Sequence, residues 1–302
     1  RKRTLLVITT LVGLLIALFL FIVLPAIKYS QASNFLENKN YNYAIYIFDS
    51  LGDFKNSEEM VAEANYQKAI DFFDNKNFDD AIKTFSYIET YRDSSTKIKE
   101  AIYQIAEIYL HENNYLEAIE LFSQLEDFSD SNERLLHTRW LLANQYLKDE
   151  NLAKAIEILE TLGDYEDSTI LIQETKYSLA YKYYILGDFA SAQAFFQDIS
   201  GYKNSSMYIK RLDILNGIQG NWYHNHPSLG WKIVRFVGWK IKGSRVDGRG
   251  WEEHGFSDNS FTPNGLLIEE TVFPFEYNHI EQTLVMHGFN GKFIEYKRTK
   301  SK

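Results

Sequence analysis

LGDYEDS occupies residues 162–168, and close variants of it stand at four other places: LGDFKNS at 51–57, IETYRDS at 88–94, LEDFSDS at 125–131 and ISGYKNS at 199–205. The shared pattern is hydrophobic-x-x-aromatic-x-Asp/Asn-Ser. Its serines, Ser57, Ser94, Ser131, Ser168 and Ser205, follow one another at 37 residues. The same step carries Ala44, Ala81, Ala118, Ala155 and Ala192, and also Phe48, Phe85, Phe122, Leu159 and Phe196. A further series runs Ala32, Ala69, Ala106, Ala143 and Ala180, each followed three residues later by Phe35, Phe72, Tyr109, Tyr146 or Tyr183. A fixed period of this length marks stacked supersecondary units, none of which buries its apolar face alone.

Residues 57–90 show what one unit is. Val61, Ala62, Asn65, Tyr66, Ala69, Phe72 and Phe73 fall at i, i+3 and i+4, the spacing of an amphipathic helix. Asn75-Lys76-Asn77 interrupts it with turn formers, and Phe78, Ala81, Ile82, Phe85 and Ile88 resume it as a shorter second helix. Each unit is therefore expected to be a helical hairpin. Its alanines suit places where two backbones approach and a larger side chain would overpack.

The opening phrase then reads as punctuation rather than catalysis. Its first apolar residue closes the second helix, its aromatic fills the gap before the next unit, and its Ser is expected to N-cap the next helix, a contribution of about 1 kcal/mol. The preceding Asp/Asn suits a turn and, where it is Asp, brings negative charge to a helix N-terminus. A nucleophile would need a base beside it and has no use for five copies.

The frame Ala69, Phe72, Ala81 and Phe85 resembles the tetratricopeptide repeat at four signature positions. Four units match fully, and the fourth departs only at Leu159. The period is 37 rather than that family's 34. The family's inter-repeat Pro is replaced by Asn/Asp-Ser, as in Asn56-Ser57 and Asp93-Ser94. This longer form is similar to a variant of membrane-anchored Gram-positive proteins. The resemblance covers residues 28–212, in units 28–64, 65–101, 102–138, 139–175 and 176–212. It implies an α-helical solenoid of five helix-turn-helix repeats, and protein or peptide binding, or scaffolding.

Ahead of the repeats, Arg1-Lys2-Arg3 precedes the uncharged stretch 4–27. Twenty-four residues at about 1.5 Å each span a ~30 Å hydrocarbon core with some tilt. A cleaved leader with a site at Ser30-Gln31-Ala32 is the rival reading. The apolar run is longer than the h-region of such leaders, and cleavage would cut into the first repeat helix. A retained single-pass anchor is expected, the basic triplet cytoplasmic and the rest of the chain extracytoplasmic at the plasma membrane. The chain starts at Arg rather than Met, so a cytoplasmic stretch ahead of it stays open.

Charge is unevenly divided. Residues 28–212 carry 31 acidic and 18 basic side chains, a net of −13, while residues 213–302 carry 10 and 11. An acidic repeat array lacks the basic footprint that nucleic acid requires. The absence of cysteine excludes disulfides, thiolate metal sites and cysteine nucleophiles. One stripe points to a partner. Tyr29, Tyr66, Tyr103, Trp140 and Tyr177 hold one register of the first helices, the register that faces the inner groove in the family this chain resembles. Large aromatics there would anchor an extended peptide, with Tyr66, Tyr103, Trp140 and Tyr177 as the binding residues. Packing between neighbouring first helices is the alternative use of the same rings.

From about residue 213 the pattern changes. GWKIVRFVGWKIKG (230–243), GLLIEETVF (265–273), EQTLVMHG (281–288) and GKFIEYKR (291–298) read as strands between glycine-rich turns. A small antiparallel barrel or sandwich is expected over 213–302. Gly220-Asn221-Trp222 and Tyr296-Lys297-Arg298 faintly resemble the two ends of lipocalin-like barrels, where a basic residue near the last strand covers the Trp of the first. Trp222 and Trp231 are the candidate ligand-binding residues, for a small molecule, glycan or lipid. His224 and His226 share one strand face but lack a third ligand at zinc spacing, so no metal and no cofactor is expected. No nucleophile elbow, zincin motif, phosphate loop or dinucleotide fingerprint is present. The function expected is a non-enzymatic, membrane-anchored interaction scaffold holding a protein or peptide in the repeat groove. The alternative is a ligand-binding β domain carried on a repeat stalk.

Overall fold

The computed structural model describes residues 2–223, 231–237, 240–245, 251–255, 261–262, 265–268, 271–273, 275–278, 282–287 and 293–298. The chain divides into two compact units, Arg1–Leu141 and Leu142–Lys302. The first unit begins with α1 (Lys2–Leu18), a π-helical turn (Phe19–Val23) and α2 (Leu24–Glu37), with no break between them. Pro25 accounts for the π turn. It has no N–H to give the Phe21 carbonyl, and its ring crowds that carbonyl, so the helix widens and the Leu24 N–H reaches back to the Phe19 carbonyl. The residues from Leu6 to Glu37 form a helix long and apolar enough to cross a membrane.

Helical hairpins follow. In the first unit α2 pairs with α3 (Tyr41–Leu51), α4 (Ser57–Asp74) with α5 (Phe78–Ser86), and α6 (Ser94–His111) with α7 (Tyr115–Gln124). The division between units falls within α8 (Ser131–Lys148). The second unit contains α9 (Leu152–Glu160), the hairpin of α10 (Ser168–Leu186) and α11 (Phe189–Asp198), and α12 (Ser205–Ile218). The alanines of both periodic series have no exposed surface, and neither do Phe48, Phe85, Phe122, Leu159 and Phe196. Alanine lets the paired backbones close together, and the large side chain one turn along the second helix fills the space beyond.

Both kinds of turn use a left-handed residue. Inside the hairpins it is Lys39, Lys76, Asn113, Glu150 or Gly187, with φ from 56° to 79°. In the second hairpin the Asn77 N–H then bonds the Phe72 carbonyl and the Lys76 N–H the Phe73 carbonyl, a Schellman closure of α4. Between repeats the left-handed residue common to all five linkers is the x before Asp/Asn: Lys55, Arg92, Ser129, Glu166 or Lys203.

The serines of the phrase are not N-caps, contrary to the expectation from sequence. Each is the first residue of its helix and is fully buried. Ser57 Oγ donates to the Phe54 carbonyl at 2.6 Å, Ser94 Oγ to Tyr91 at 2.6 Å and Ser205 Oγ to Tyr202 at 2.7 Å, and the same carbonyls accept the serine N–H groups. The preceding Asn56, Asp93 and Asn204 are the caps, and they act through the backbone, their carbonyls accepting the first helical N–H bonds. Their side chains make no capping bond, and two of them, Asn56 and Asp93, are engaged by tyrosines one repeat back.

Among the described residues, α12 is followed by β structure. Strands β1 (Gly220–Tyr223), β2 (Trp231–Val237), β3 (Lys240–Arg245), β4 (Trp251–Gly255), β8 (Phe275–Asn278), β9 (Thr283–His287) and β10 (Phe293–Lys297) form an antiparallel sheet. Their order is β4-β3-β2-β1-β10-β9-β8. The first and last strands meet at Tyr223 and Lys297. A separate antiparallel sheet comprises β5 (Phe261–Thr262), β6 (Gly265–Ile268) and β7 (Thr271–Phe273). One apolar cluster joins helices to sheet: Phe189, Phe196, Leu212, Leu215 and Ile218 share it with Trp222, Phe236, Leu284 and Tyr296. Arg298 stretches over the indole of Trp222 at 5.7 Å and donates to the carbonyl of Gln219, which holds the start of β1 to the end of β10.

Candidate partner-binding site

The aromatic stripe is built the same way at successive repeats. On α2 the Tyr29 ring meets Phe48 edge-on at 5.3 Å and Phe54 at 6.4 Å. On α4 Tyr66 meets Phe85 at 5.8 Å and Tyr91 at 6.0 Å, and on α6 Tyr103 meets Phe122 at 5.6 Å and Phe128 at 6.5 Å. Each ring thus leans on the conserved-spacing Phe of its own second helix and on the aromatic of the following phrase. The hydroxyls donate to the next cap residue: Tyr29 to Asn56 at 2.7 Å, Tyr66 to Asp93 at 2.6 Å and Tyr103 to Asp130 at 2.6 Å. All three rings remain half-buried, as does Trp140, which stacks on His137 with centroids 6.2 Å apart. In the second unit Tyr177 is also half-buried and sits edge-on to Phe196, Tyr202 and Tyr208.

Charge is organised around these rings. The left-handed linker residue brings a cation to the ring where it is basic: Lys55 Nζ lies 4.5 Å from Tyr29, Arg92 5.0 Å from Tyr66 and Lys203 5.4 Å from Tyr177. An acid one turn before the stripe residue holds that cation and the linker tyrosine. Glu63 accepts from Tyr91 at 2.8 Å and pairs with Arg92 at 2.7 Å, and Glu174 accepts from Tyr202 at 3.1 Å and lies 3.6 Å from Lys203. Where the linker is Phe128-Ser129, with neither a phenol nor a cation to offer, Arg134 takes over from the next helix. It reaches Asp130 at 3.2 Å and Glu107 at 3.3 Å.

The hydroxyl tethers stabilise the neutral phenol. The bond to Asp93, then burial, pushes Tyr66 up to about 12, and burial with the Asp130 bond raises Tyr103. Tyr103 in turn holds the Asp130 carboxyl below the usual carboxylate range. These rings are therefore held by packing and by a committed hydroxyl while staying partly exposed, with Asp93 and Asp130 fixed beside Tyr66 and Tyr103.

Of the candidates in the β domain, Trp222 is fully buried, and its indole N–H donates to the Ile218 carbonyl at 2.6 Å. Trp231 opens β2 opposite Arg245, and its side chain lies outside the described residues. His224 and His226 also lie outside them. Sequence reasoning missed the hydroxyl tethers. Their signal was a constant spacing of 27 residues from each stripe tyrosine to an Asn or Asp, 29 to 56, 66 to 93 and 103 to 130.

No protein-family model matches the chain, and no curated protein does. Among solved structures, it is similar to nearly identical TPR-like repeats of a kinesin light chain-type protein from Podosopora anserina. That match has 11% identity and a TM-score of 0.17, over 63% of this chain and 93% of that one. The TPR domain of P58(IPK) shares 13% identity over 64% of this chain and 65% of its own, with a TM-score of 0.23. The TPR2AB domain of yeast Sti1, in complex with pHSP90, shares 14% identity over 65% and 85%, with a TM-score of 0.19. Scores this low bear no weight, and the fold stands on the chain's own hairpins and their buried Ala and Phe positions. The repeats are tetratricopeptide-like. Within tetratricopeptide-like hairpins the stripe holds one register of the first helices, a register that the second helices do not cover fully.

Proposed function

We propose that this protein is a membrane-anchored interaction scaffold. A protein or peptide partner lies on the first-helix face of its repeats, with Tyr66, Tyr103 and Trp140 as anchors in the first unit; Tyr177 is the corresponding residue of the second. The observation that carries this reading is the half-exposure of rings that are otherwise fully fixed. An aromatic already held by packing and a hydroxyl bond loses little freedom on binding, so more of the burial energy reaches the partner. The apolar helix supports an anchor, and Arg1-Lys2-Arg3 before it supports an orientation with the repeats outside the plasma membrane. The reading is non-enzymatic.

Photo-crosslinking in cells tests it. A benzophenone side chain is placed at Tyr103 or Lys148 on first helices, and at the exposed Lys83 on a second helix as control. A discrete protein adduct from the first-helix probes, absent from the control, is the expected outcome. A silent first-helix face, or equal adducts from Lys83, would overturn the scaffold reading.

A further inference from the structure

We propose that the turn between the first and second repeats, Leu51–Asn56, is seated in the phospholipid headgroup layer of the membrane that the N-terminal helix crosses. The protein then meets the bilayer at two points rather than one. This rests on the anchor reading above.

The geometry leaves the turn little choice. From Lys2 to Glu37 the chain never leaves the helix, so the first repeat helix continues the span without a linker. Helix α3 runs back along α2, and by Leu51 the chain has returned to the span's last turn. There Asn56 accepts the Tyr29 hydroxyl at 2.7 Å, Phe54 stands 6.4 Å from the Tyr29 ring and Lys55 4.5 Å from it. Side chains on a helix slant toward its N-terminus, so the Tyr29 ring overlies the turn before it, the turn of Leu24–Ile27. Leu24, Pro25 and Ala26 are half-buried where residues 18–23 are exposed, so the protein's own cover starts at that level.

Tyr29 is two residues beyond Ile27, about 3 Å along the axis. The headgroup layer adds roughly 5–7 Å on each side of the hydrocarbon core. A helix that crosses the core therefore carries Phe54 and Lys55 into that layer.

The side chains suit it. Tyr29, Leu51 and Phe54 are half-exposed, and Lys28 and Lys55 are exposed, the pairing of aromatic rings and snorkelling lysines found where proteins meet headgroups. Asp49 and Asp53 are exposed beside them and balance the two lysines, so the contact needs no anionic lipid. Zwitterionic phospholipid is the occupant assigned.

The cysteine-free chain makes the test direct. Single cysteines replace Leu14 in the span, Asp53 in the turn and Lys76 in the turn at the opposite end of the second hairpin, each carrying a nitroxide. The full chain is reconstituted in phosphatidylcholine nanodiscs, and accessibility to oxygen and to a water-soluble nickel chelate is read by power saturation. Expected are a hydrocarbon depth at 14, a headgroup depth at 53 with chelate accessibility several-fold below that at 76, and full chelate access at 76. Equal chelate access at 53 and 76, with 14 still deep, would sink the second contact and leave the anchor standing. Chelate access at 14 would overturn both.

Discussion

At the scale of the residue, the tyrosine stripe contributes to stability through its hydroxyl bonds. Tyr66 donates to Asp93 and is pushed up to about 12, above its ordinary value of 10. A raised folded pKa means the unfolded chain gives up the proton first. The stability from this bond is then complete below pH 10 and disappears as pH rises from 10 through 12. Tyr41, raised to about 12 by burial and by Asp71, and Tyr296, raised to about 12 by burial, act in the same window. Denaturant titrations across pH 8–12 are expected to show a plateau followed by a fall. Tyr66→Phe should lower the plateau by about 1 kcal/mol, the scale of one net hydrogen bond, and flatten the fall. A Tyr66→Phe chain that falls as steeply as the parent would remove the tether from the explanation. The linker serine is a separate case. Ser94 is buried with its hydroxyl on the Tyr91 carbonyl, so Ser94→Ala should cost about 1 kcal/mol, and Ser94→Leu about 1–3 kcal/mol through overpacking, by thermal unfolding.

At the scale of the element, the turns set the cost. Glu126 adopts φ 50° at the position where two other repeats place Gly52 and Gly163, both also left-handed. A side chain in that conformation costs about 1–2 kcal/mol, partly offset by the extra freedom glycine has when unfolded. Glu126→Gly should therefore stabilise by a few tenths to about 1 kcal/mol and raise the melting temperature by a few degrees. A melting point that falls instead would mean that the Glu126 side chain contributes contacts outweighing its backbone strain. These elements also mark what could be read from sequence. The hairpins, their period and the alanine contacts were legible because a side chain with no exposed surface restricts residue choice at every repeat, as Ala81 and Phe85 do. The left-handed linker position was not, because Lys55, Arg92, Ser129, Glu166 and Lys203 share no chemistry, only a backbone angle. The serine misled for a related reason. Serine suits an N-cap and a buried first helical position equally well, and only the neighbouring Asx carbonyl, which accepts the first helical bond, decides between them. The shared register of the stripe residues was legible, but the tether that fixes the tyrosines connects residues 27 positions apart and is invisible to any helical periodicity.

At the scale of the whole molecule, the second unit shows how a repeat array can end. A helical hairpin leaves an apolar face for its successor, and a terminal face needs a different cover. Helix α12 presents Leu212, Leu215 and Ile218, none more than 1% exposed, and no further helical hairpin follows among the described residues. Their cluster includes Trp222, Phe236, Leu284 and Tyr296, so the sheet supplies the cover that another repeat would have given. The contact is close. Any Cβ at Gly217 would run into the ring of Tyr277, which also stands edge-on to Trp222 at 5.9 Å. Gly217→Ala should then cost about 1–3 kcal/mol although alanine is the better helix former, and Trp222→Ala about 3–5 kcal/mol. The sharper test is truncation after Gln219. If the sheet caps the repeats, the shortened chain exposes Leu212, Leu215 and Ile218, and amide exchange should speed up through α10, α11 and α12. Helices α4 and α5, in the other unit, should keep their protection, because repeat stability is summed from neighbours. Unchanged exchange in α10–α12 after truncation would make the β domain an appended module rather than the cap of the array.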